Sequence, residues 1–367
     1  MAARVLFVTN LLTHYRRPLY EELGRRLRVR YVFFSDGGET YWQGGVATSA
    51  DIVSVSPRGV WVGRTRIVPG LVAEVLARPY DVVVTSLVGK FALAVSYLGA
   101  RLRRRPVVLW ATLWAHPDTP FHRRTRRVTE WLYRDADAVV TYGRHVSRHV
   151  VDAGADPDRV FVAPQAVDLT LFTPGPARPD NGPLRIGYVG RLEPEKGVPD
   201  LLAAVARMTQ EHELVVVGEG SVAVPGARGR VPNDALPDVY RDIDVVVVPS
   251  VATAAFSEPW SLVVNEALGC GTAVVASTAV GAVQDGLVSD GETGLVFEAG
   301  DTAALAGALD RLAADRALLR RLAAAGHAAV QEYTYERAAD AFVAAVQAAC
   351  NRRERRALRT NRAFPTK

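Results

Sequence analysis

Short runs of continuous apolar residues decide what this chain can fold into. RVLFVTN (4–10), RVRYVFF (28–34), YDVVVTS (80–86), RPVVLWAT (105–112), ADAVVTYG (136–143) and DRVFVAPQ (158–165) are Val-rich and bounded by charges or turn residues. PLRIGYVG (183–190), HELVVVGEG (212–220), DIDVVVVPS (242–250), GTAVVAS (271–277) and TGLVF (293–297) continue the series. A strand with one face in water alternates apolar and polar residues, whereas a run without alternation has both faces covered, as in parallel sheets. Between the runs lie stretches of helical spacing at 17–28, 89–103, 122–134, 198–209, 303–325 and 335–349. The expectation is an α/β chain of doubly wound parallel sheets, with ligands at the carboxyl ends of the strands.

The 367 residues are too many for one ordinary core and suit two. The Pro/Gly-rich break TPGPARPDNGP marks the division. The expected layout is an N-terminal Rossmann-like domain over 1–172, a linker over 173–183 and a C-terminal Rossmann-like domain over 184–345, with a cleft between the domains. A basic tail, 346–367, is expected to cross back to the first domain. Cys270 and Cys350 are the only cysteines, so no disulfide framework or CxxC metal pair exists. The opening MAARVLFVTN has too short an apolar run for a signal-peptide core. No stretch approaches the ~20 apolar residues of a membrane span, and a cytoplasmic location is expected.

Charge is unevenly spread. Residues 1–180 carry 25 Lys and Arg against 16 Asp and Glu, a net of +9, while residues 181–350 carry 12 against 22, a net of −10. The tail 351–367 carries 7 against 1. A basic first half suits phosphates or anionic lipid. Nucleic acid is not expected as a partner, because aromatics are not interleaved with the basic runs.

The candidate site residues follow the strands of the second half. IGYVGRLEPEKG (186–197) is a strand, a turn bearing Gly190, Arg191 and Lys196, and the start of a helix. Backbone close to such a turn, two cations and a helix N-terminus suit a diphosphate. The plain alternative is a solvated charged turn, and the stretch has neither a GxGxxG nor a Walker A pattern. VVVGEGS (215–221) ends in glycines, and backbone at Arg230 and Val231 is placed to meet a nucleobase or to form an ordinary loop. SEPWSLVVNEALGCG (257–271) sets Glu258 ahead of a short helix and Glu266 about two turns in. Ser261 and Leu262 begin that helix and offer N–H groups to a phosphate. Glu is seldom buried without a partner, so Glu266 needs a reason, either a ribose diol or a core ion pair with Arg.

VGRLEPEKG, VVGEG, VPS…SEPWSLVVNEALGCGTAVVAS and DGETGLVF, in this order, resemble the nucleotide-sugar domain of retaining GT-B glycosyltransferases of the family 4 type. The Glu258–Glu266 spacing matches that family's E-x7-E signature. The resemblance implies that Arg191 and Lys196 hold the donor diphosphate, Glu266 the ribose, and Glu258 the hydroxyls of the donor sugar. His116, in VVLWATLWAHPDTPF, stands where the family often carries a His beside the donor sugar. Relatives usually have a Gly-rich loop after the first strand; here TNLLTHYRRPLYEEL has none before Gly24, and His14, Arg16 and Arg17 replace it or face the acceptor. Ser261 stands where relatives usually have glycine, a change that a helix N-cap tolerates.

The implied activity is retaining transfer of a hexose from a nucleoside diphosphate sugar, UDP-linked before GDP-linked, to an acceptor hydroxyl. No cofactor and no metal are expected. The D-x-D triplets at 135–137 and 242–244 recur in both halves as the last residues before a strand, which favours a structural role over metal binding. A basic first half argues for an anionic or lipid-linked acceptor in glycan assembly, ahead of a neutral small molecule. The runs RLRRRP (101–106) and HRRTRR (122–127) read as solvated helix faces or as contacts with an anionic membrane. A nucleotide-sugar epimerase and a non-catalytic nucleotide-sugar-binding protein are the readings from other classes.

Overall fold

The structure is a computed structural model that describes residues 3–35, 49–63, 65–176 and 182–363, the side chains of 355–363 excepted. Five residues of the expected linker, 177–181, and the end of the basic tail lie outside the described residues. The chain forms two compact units. The first comprises 1–112, 124–164 and 335–367; the second comprises 113–123 and 165–334.

In the first unit the strands are β1 (Arg4–Thr9), β2 (Arg28–Phe33), β3 (Ser54–Val55), the hairpin β4 (Val60–Val62) and β5 (Thr65–Ile67), β6 (Val82–Ser86), β7 (Val107–Ala111), β8 (Ala138–Thr141) and β9 (Val160–Val162). Seven of them form a parallel sheet in the order β3-β2-β1-β6-β7-β8-β9. Its helices are α1 (Arg17–Arg26), α2 (Pro69–Ala77), α3 (Lys90–Leu102), α4 (Pro120–Asp135, which starts in the second unit) and α5 (Arg144–Asp152). The second unit holds β10 (Leu184–Val189), β11 (His212–Val217), β12 (Val245–Val248), β13 (Ala273–Ser277) and β14 (Leu295–Phe297). They form a five-stranded parallel sheet, β11-β10-β12-β13-β14. Around it lie α6 (Val198–Val205), α7 (Leu236–Arg241), α8 (Leu262–Gly269), α9 (Gly281–Asp285), α10 (Thr302–Ala314) and α11 (Arg316–Val330). The last helix, α12 (Tyr335–Ala363), returns to the first unit.

Every apolar run named above is a strand; β6, β7, β8, β12 and β13 are buried along their whole length, and β1 from Val5 onward. The helical stretch at 303–325 is two helices, because Asp315 leaves α10 and its carboxylate accepts the Leu318 N–H at 2.8 Å, capping α11. The helix expected at 335–349 runs on through Ala363.

The unit boundaries differ from those expected at 172 and 345. Tyr335 donates to the Tyr15 carbonyl at 3.0 Å, Arg26 pairs with Asp340, and the Phe342 ring lies 5.3 Å from Trp110, so α12 joins the first unit from its first turn. Leu113–Arg123 leaves the first unit because the Asp118 N–H donates to the Ala254 carbonyl at 2.7 Å. Gln165 and Thr173 accept side-chain bonds from Asn265 and Arg241, which ties 165–176 to the second unit.

One device recurs where a strand begins beside its neighbour. Asp81, just ahead of β6, accepts the backbone N–H of Arg4 at 3.0 Å. Asp137, ahead of β8, accepts that of Val107 at 3.0 Å, and Asp244, ahead of β12, that of Arg185 at 2.8 Å. Each carboxylate satisfies a donor at the sheet's amino edge and also holds an arginine: Arg4, Arg101 and Arg316 respectively. Asp135 binds Arg101 and the Tyr97 hydroxyl, and Asp242 binds Arg185. The aspartates of both D-x-D triplets are thus engaged in strand-start ion pairs.

At the opposite edge the turn after β10 is very tight. Gly197 has φ +71°, and a Cβ there would stand 1.8 Å from the Pro249 carbonyl oxygen. A Gly197→Ala substitution should therefore lower stability by about 2–4 kcal/mol, read as a fall in the urea midpoint at unchanged slope.

Candidate active site

The loops after β10, β11 and β12 converge because glycines let their backbones meet. The Gly218 N–H donates to the Gly229 carbonyl at 2.8 Å, and a Cβ on Gly218 would stand 1.8 Å from the Gly190 carbonyl oxygen. On the other side of the turn, Pro194–Lys196 form a single 3₁₀ turn that leads through Gly197 into α6.

Lys196 points from this turn to the loop after β12. Its ammonium pairs with the Glu258 carboxylate and sits 4.8 Å from the centre of the Phe256 ring. Glu258 is buried; Ser250 donates to the same carboxylate oxygen at 3.2 Å. Its backbone is fixed independently, since its carbonyl accepts from Trp114 Nε1 at 3.0 Å and from the Gly281 N–H at 3.1 Å. The structure thus brings Lys196 and Glu258 into direct contact. Arg191 is half-exposed and 3.3 Å from Glu195, one turn along the same loop.

Glu266 lies inside α8 and is buried. Tyr240 of α7 donates to its carboxylate at 2.5 Å, so its partner is a phenol rather than the arginine of the structural alternative. Burial pushes the Glu266 carboxyl up to about 7, against the opposing pull of the Tyr240 hydrogen bond. Trp260, beside the site in sequence, is buried and donates to Asn265 at 2.6 Å.

Ser261 corrects one expectation. It has φ +77° and ψ +94°, a left-handed backbone that favours glycine, and its side chain makes no capping hydrogen bond to α8. The position is tolerated through strain and not through N-capping. Leu262 follows as the first residue of α8. Arg230 is exposed and Val231 half-buried, in the loop whose backbone joins Gly218; the Arg230 N–H donates to Glu219 at 3.3 Å.

His116 belongs to the second unit with Glu258. It lines a cavity of about 230 Å³ with Ala254, Phe256, Ser257 and Pro259 among the other walls. Its Nε2 lies 2.8 Å from the His122 carbonyl, which can only accept, so Nε2 is the donor in that bond. His14, Arg16 and Arg17 lie in the first unit. Arg17 is exposed and salt-bridged to Glu21, and the His14 ring is exposed against Tyr15. Arg16 turns inward: its guanidinium donates to the Tyr142 hydroxyl and lies 4.7 Å from the Trp110 ring centre.

Trp114, Phe256, Ser250 and Tyr240 complete the site and were not singled out in the sequence. Ser250, as the last residue of VVVVPS, had the right position; Trp114 and Tyr240 carried no pattern that sets them apart from core aromatics.

Two family profiles match the chain: "Glycosyltransferase Family 4" over residues 16–171 and "Glycosyl transferases group 1" over 183–315. D-inositol 3-phosphate glycosyltransferase from Stackebrandtia nassauensis is 35% identical over 260 residues, 61% of this chain. The aligned part spans 57% of that relative's own length. The crystal structure of Anabaena HepE in complex with UDP-glucose superposes with a TM-score of 0.70 at 21% identity, covering 93% of this chain and 98% of that one. Sucrose-phosphate synthase from Thermosynechococcus elongatus gives 0.69 at 21%, over 92% and 96%. The chain belongs to the GT-B glycosyltransferases of the family 4 type. Its two Rossmann-like units are that fold's halves.

Two measurements follow from the site's strain and burial. Ser261→Gly should raise stability by about 1 kcal/mol by relieving the left-handed backbone, a rise in melting temperature that Ser261→Ala does not give. Glu266 binds its proton more tightly folded than unfolded, so its contribution to stability falls as pH rises from its ordinary 4.5 to about 7. The fall should approach ~3 kcal/mol, and Glu266→Gln should flatten the melting-temperature profile across that window.

Proposed function

We propose that the chain is a retaining, metal-independent hexosyltransferase that uses a nucleoside diphosphate sugar, UDP-linked in preference to GDP-linked. The observation that carries this reading is the Lys196–Glu258 pair at the carboxyl edge of the second sheet beside the start of α8, its carboxylate buried and its ammonium partly exposed. A part-buried lysine and a buried carboxylate that satisfy each other hold a place for a ligand with both an anion and hydroxyls. When the diphosphate arrives, Lys196 turns to its oxygens, and Glu258, still held by Ser250, accepts the sugar hydroxyls.

Each part of the donor then has a partner. Arg191, Lys196, the Gly190 turn and the N–H groups from Leu262 onward face the diphosphate. Charge-assisted bonds of this kind contribute about 1.5–3 kcal/mol each, most where leaving-group charge grows. Glu266 and Tyr240 take the ribose diol, and backbone at Arg230 and Val231 the base. In the transfer, the bond from the anomeric carbon to the phosphate oxygen breaks as the acceptor oxygen adds on the same face. The acceptor proton passes to the departing phosphate oxygen, which balances the step without a metal. His116, beside Ser257 in the shared cavity, positions the sugar. UDP is favoured because HepE, of the same fold, has been crystallised with UDP-glucose.

The acceptor is assigned to the first unit and to an anionic or lipid-linked hydroxyl compound of glycan assembly. Thr13 Oγ1, Arg16 Nε, Ser86 Oγ and Trp110 Nε1 are buried there without a hydrogen-bond partner, at or just beyond the carboxyl ends of β1, β6 and β7. Buried polar atoms rarely stay unpaired, and a polar acceptor would satisfy them. The net +9 of residues 1–180 and the phosphate in the name of the inositol-phosphate relative agree with an anion.

Thermal shift with UDP, GDP and dTDP, each with and without chelator, tests the donor half. One diphosphate at ~100 times its dissociation constant should stabilise the wild type by about 2.7 kcal/mol, unchanged by chelator. Lys196→Ala should lose that shift. No shift with any of the three would remove the basis for the roles of Lys196, Arg191 and Glu266.

A further inference from the structure

The outer helices of the first unit carry large apolar side chains in solvent. On α3, Leu98 is 62% and Leu102 77% exposed, one turn apart on the same ridge. On α4, Val128 is 55% and Trp131 45% exposed, and Val72 and Leu76 form the same i,i+4 pair on α2. The three helices are neighbours. Gly99 lets α3 pack closely on Val75 of α2, and the Trp131 ring lies 5.4 Å from Tyr97 of α3. The apolar ridges therefore form one strip across the helix layer. Contiguous exposed apolar surface of this kind marks an interaction site.

The charge around the strip is nearly all positive. The first-unit residues 90–112 and 124–135 hold nine Lys and Arg against two Asp and Glu, a net of +7. The two carboxylates are already engaged, Glu130 with Arg126 and Asp135 with Arg101. Arg104, Arg124 and Arg127 are exposed on the same segment. A strip of leucine, valine and tryptophan set among guanidinium groups has the chemistry of an interfacial surface, with apolar tips at the acyl boundary and cations on the phosphates. Among the described residues no helix is long and apolar enough to cross a membrane, so such contact would be peripheral.

We propose that the α2–α3–α4 face docks the chain onto an anionic lipid surface, with Leu98, Leu102 and Trp131 entering the headgroup boundary. The basic runs alone fit a solvated helix face equally well; the apolar strip beside them, unpartnered among the described residues, is what the lipid accounts for. The inference stands apart from the donor reading, and its failure would leave the diphosphate shift untouched.

Vesicle co-sedimentation of the full chain tests it. The protein should pellet ~10-fold more with vesicles of ~40 mol% phosphatidylglycerol than with phosphatidylcholine alone. Leu98→Ser with Leu102→Ser should cut that binding ~5-fold or more at unchanged melting temperature, and Arg104→Glu with Arg127→Glu should do likewise. Equal pelleting with both vesicle types, or none, would overturn the proposal. So would binding that survives the serine pair, which reduces the effect to unspecific charge. A wild type that elutes as a dimer, becomes monomeric in the serine pair and ignores lipid would assign the face to a second copy of the chain instead.

Discussion

A parallel strand covered on both faces has no room for polar chemistry along its length, so everything functional here is pushed to the strand ends. The two edges of each sheet then divide the work. The amino edges are closed by aspartates that bind an N–H at the start of a neighbouring strand together with an arginine, as Asp81, Asp137 and Asp244 do. The carboxyl edges are left to loops, and in the second unit these loops are drawn together by glycine. A side chain at Gly197 or Gly218 would collide with a carbonyl oxygen of the adjoining loop, so the ligand-facing geometry depends on residues that contribute no side chain at all.

That arrangement sets the electrostatics of the pair at the centre of the site. Burying Glu258 alone would be expensive, and it is tolerable because the part-exposed Lys196 and Ser250 both partner its carboxylate, while the Phe256 ring lies against the ammonium. An ion pair with a buried carboxylate is weak evidence for stability, since well-packed apolar residues serve as well or better. Its persistence at a loop junction, beside the start of α8, makes more sense as readiness for a ligand. Glu266 follows a different logic. It has a single phenolic partner and burial favours its neutral form, so the two glutamates of one motif differ in what the fold does to them.

What was legible in the sequence tracks how local the determinant is. Unbroken runs such as VVVVPS and RPVVLWAT specify covered strands by themselves, and each one is a strand. Pro and Gly mark the turns after them, so the positions of Lys196, Glu258 and Glu266 relative to strand and helix could be read directly. The short strands β3, β4 and β5 and the helices α2, α5 and α9 were not anticipated, because VWV or RHVSRHVVD carries no period long enough to stand out. Boundaries failed for a related reason. The Pro/Gly break at 173–183 is conspicuous, yet the packing that assigns 113–123 and 165–176 to the second unit comes from Asp118, Asn265 and Arg241 contacts that no local pattern announces.

Ser261 shows the limit most clearly. In sequence it reads as a favourable cap, since serine before an apolar helix satisfies orphan N–H groups. In the fold the loop after β12 must turn sharply to set Glu258 against Lys196 and still deliver the start of α8 beside them. The backbone accordingly takes a left-handed conformation at Ser261, and the hydroxyl no longer reaches the helix it precedes. A capped helix would have its leading N–H groups satisfied internally. An uncapped and strained one leaves them for a phosphate, so the local departure from helix-start chemistry and the proposed diphosphate contact have the same cause.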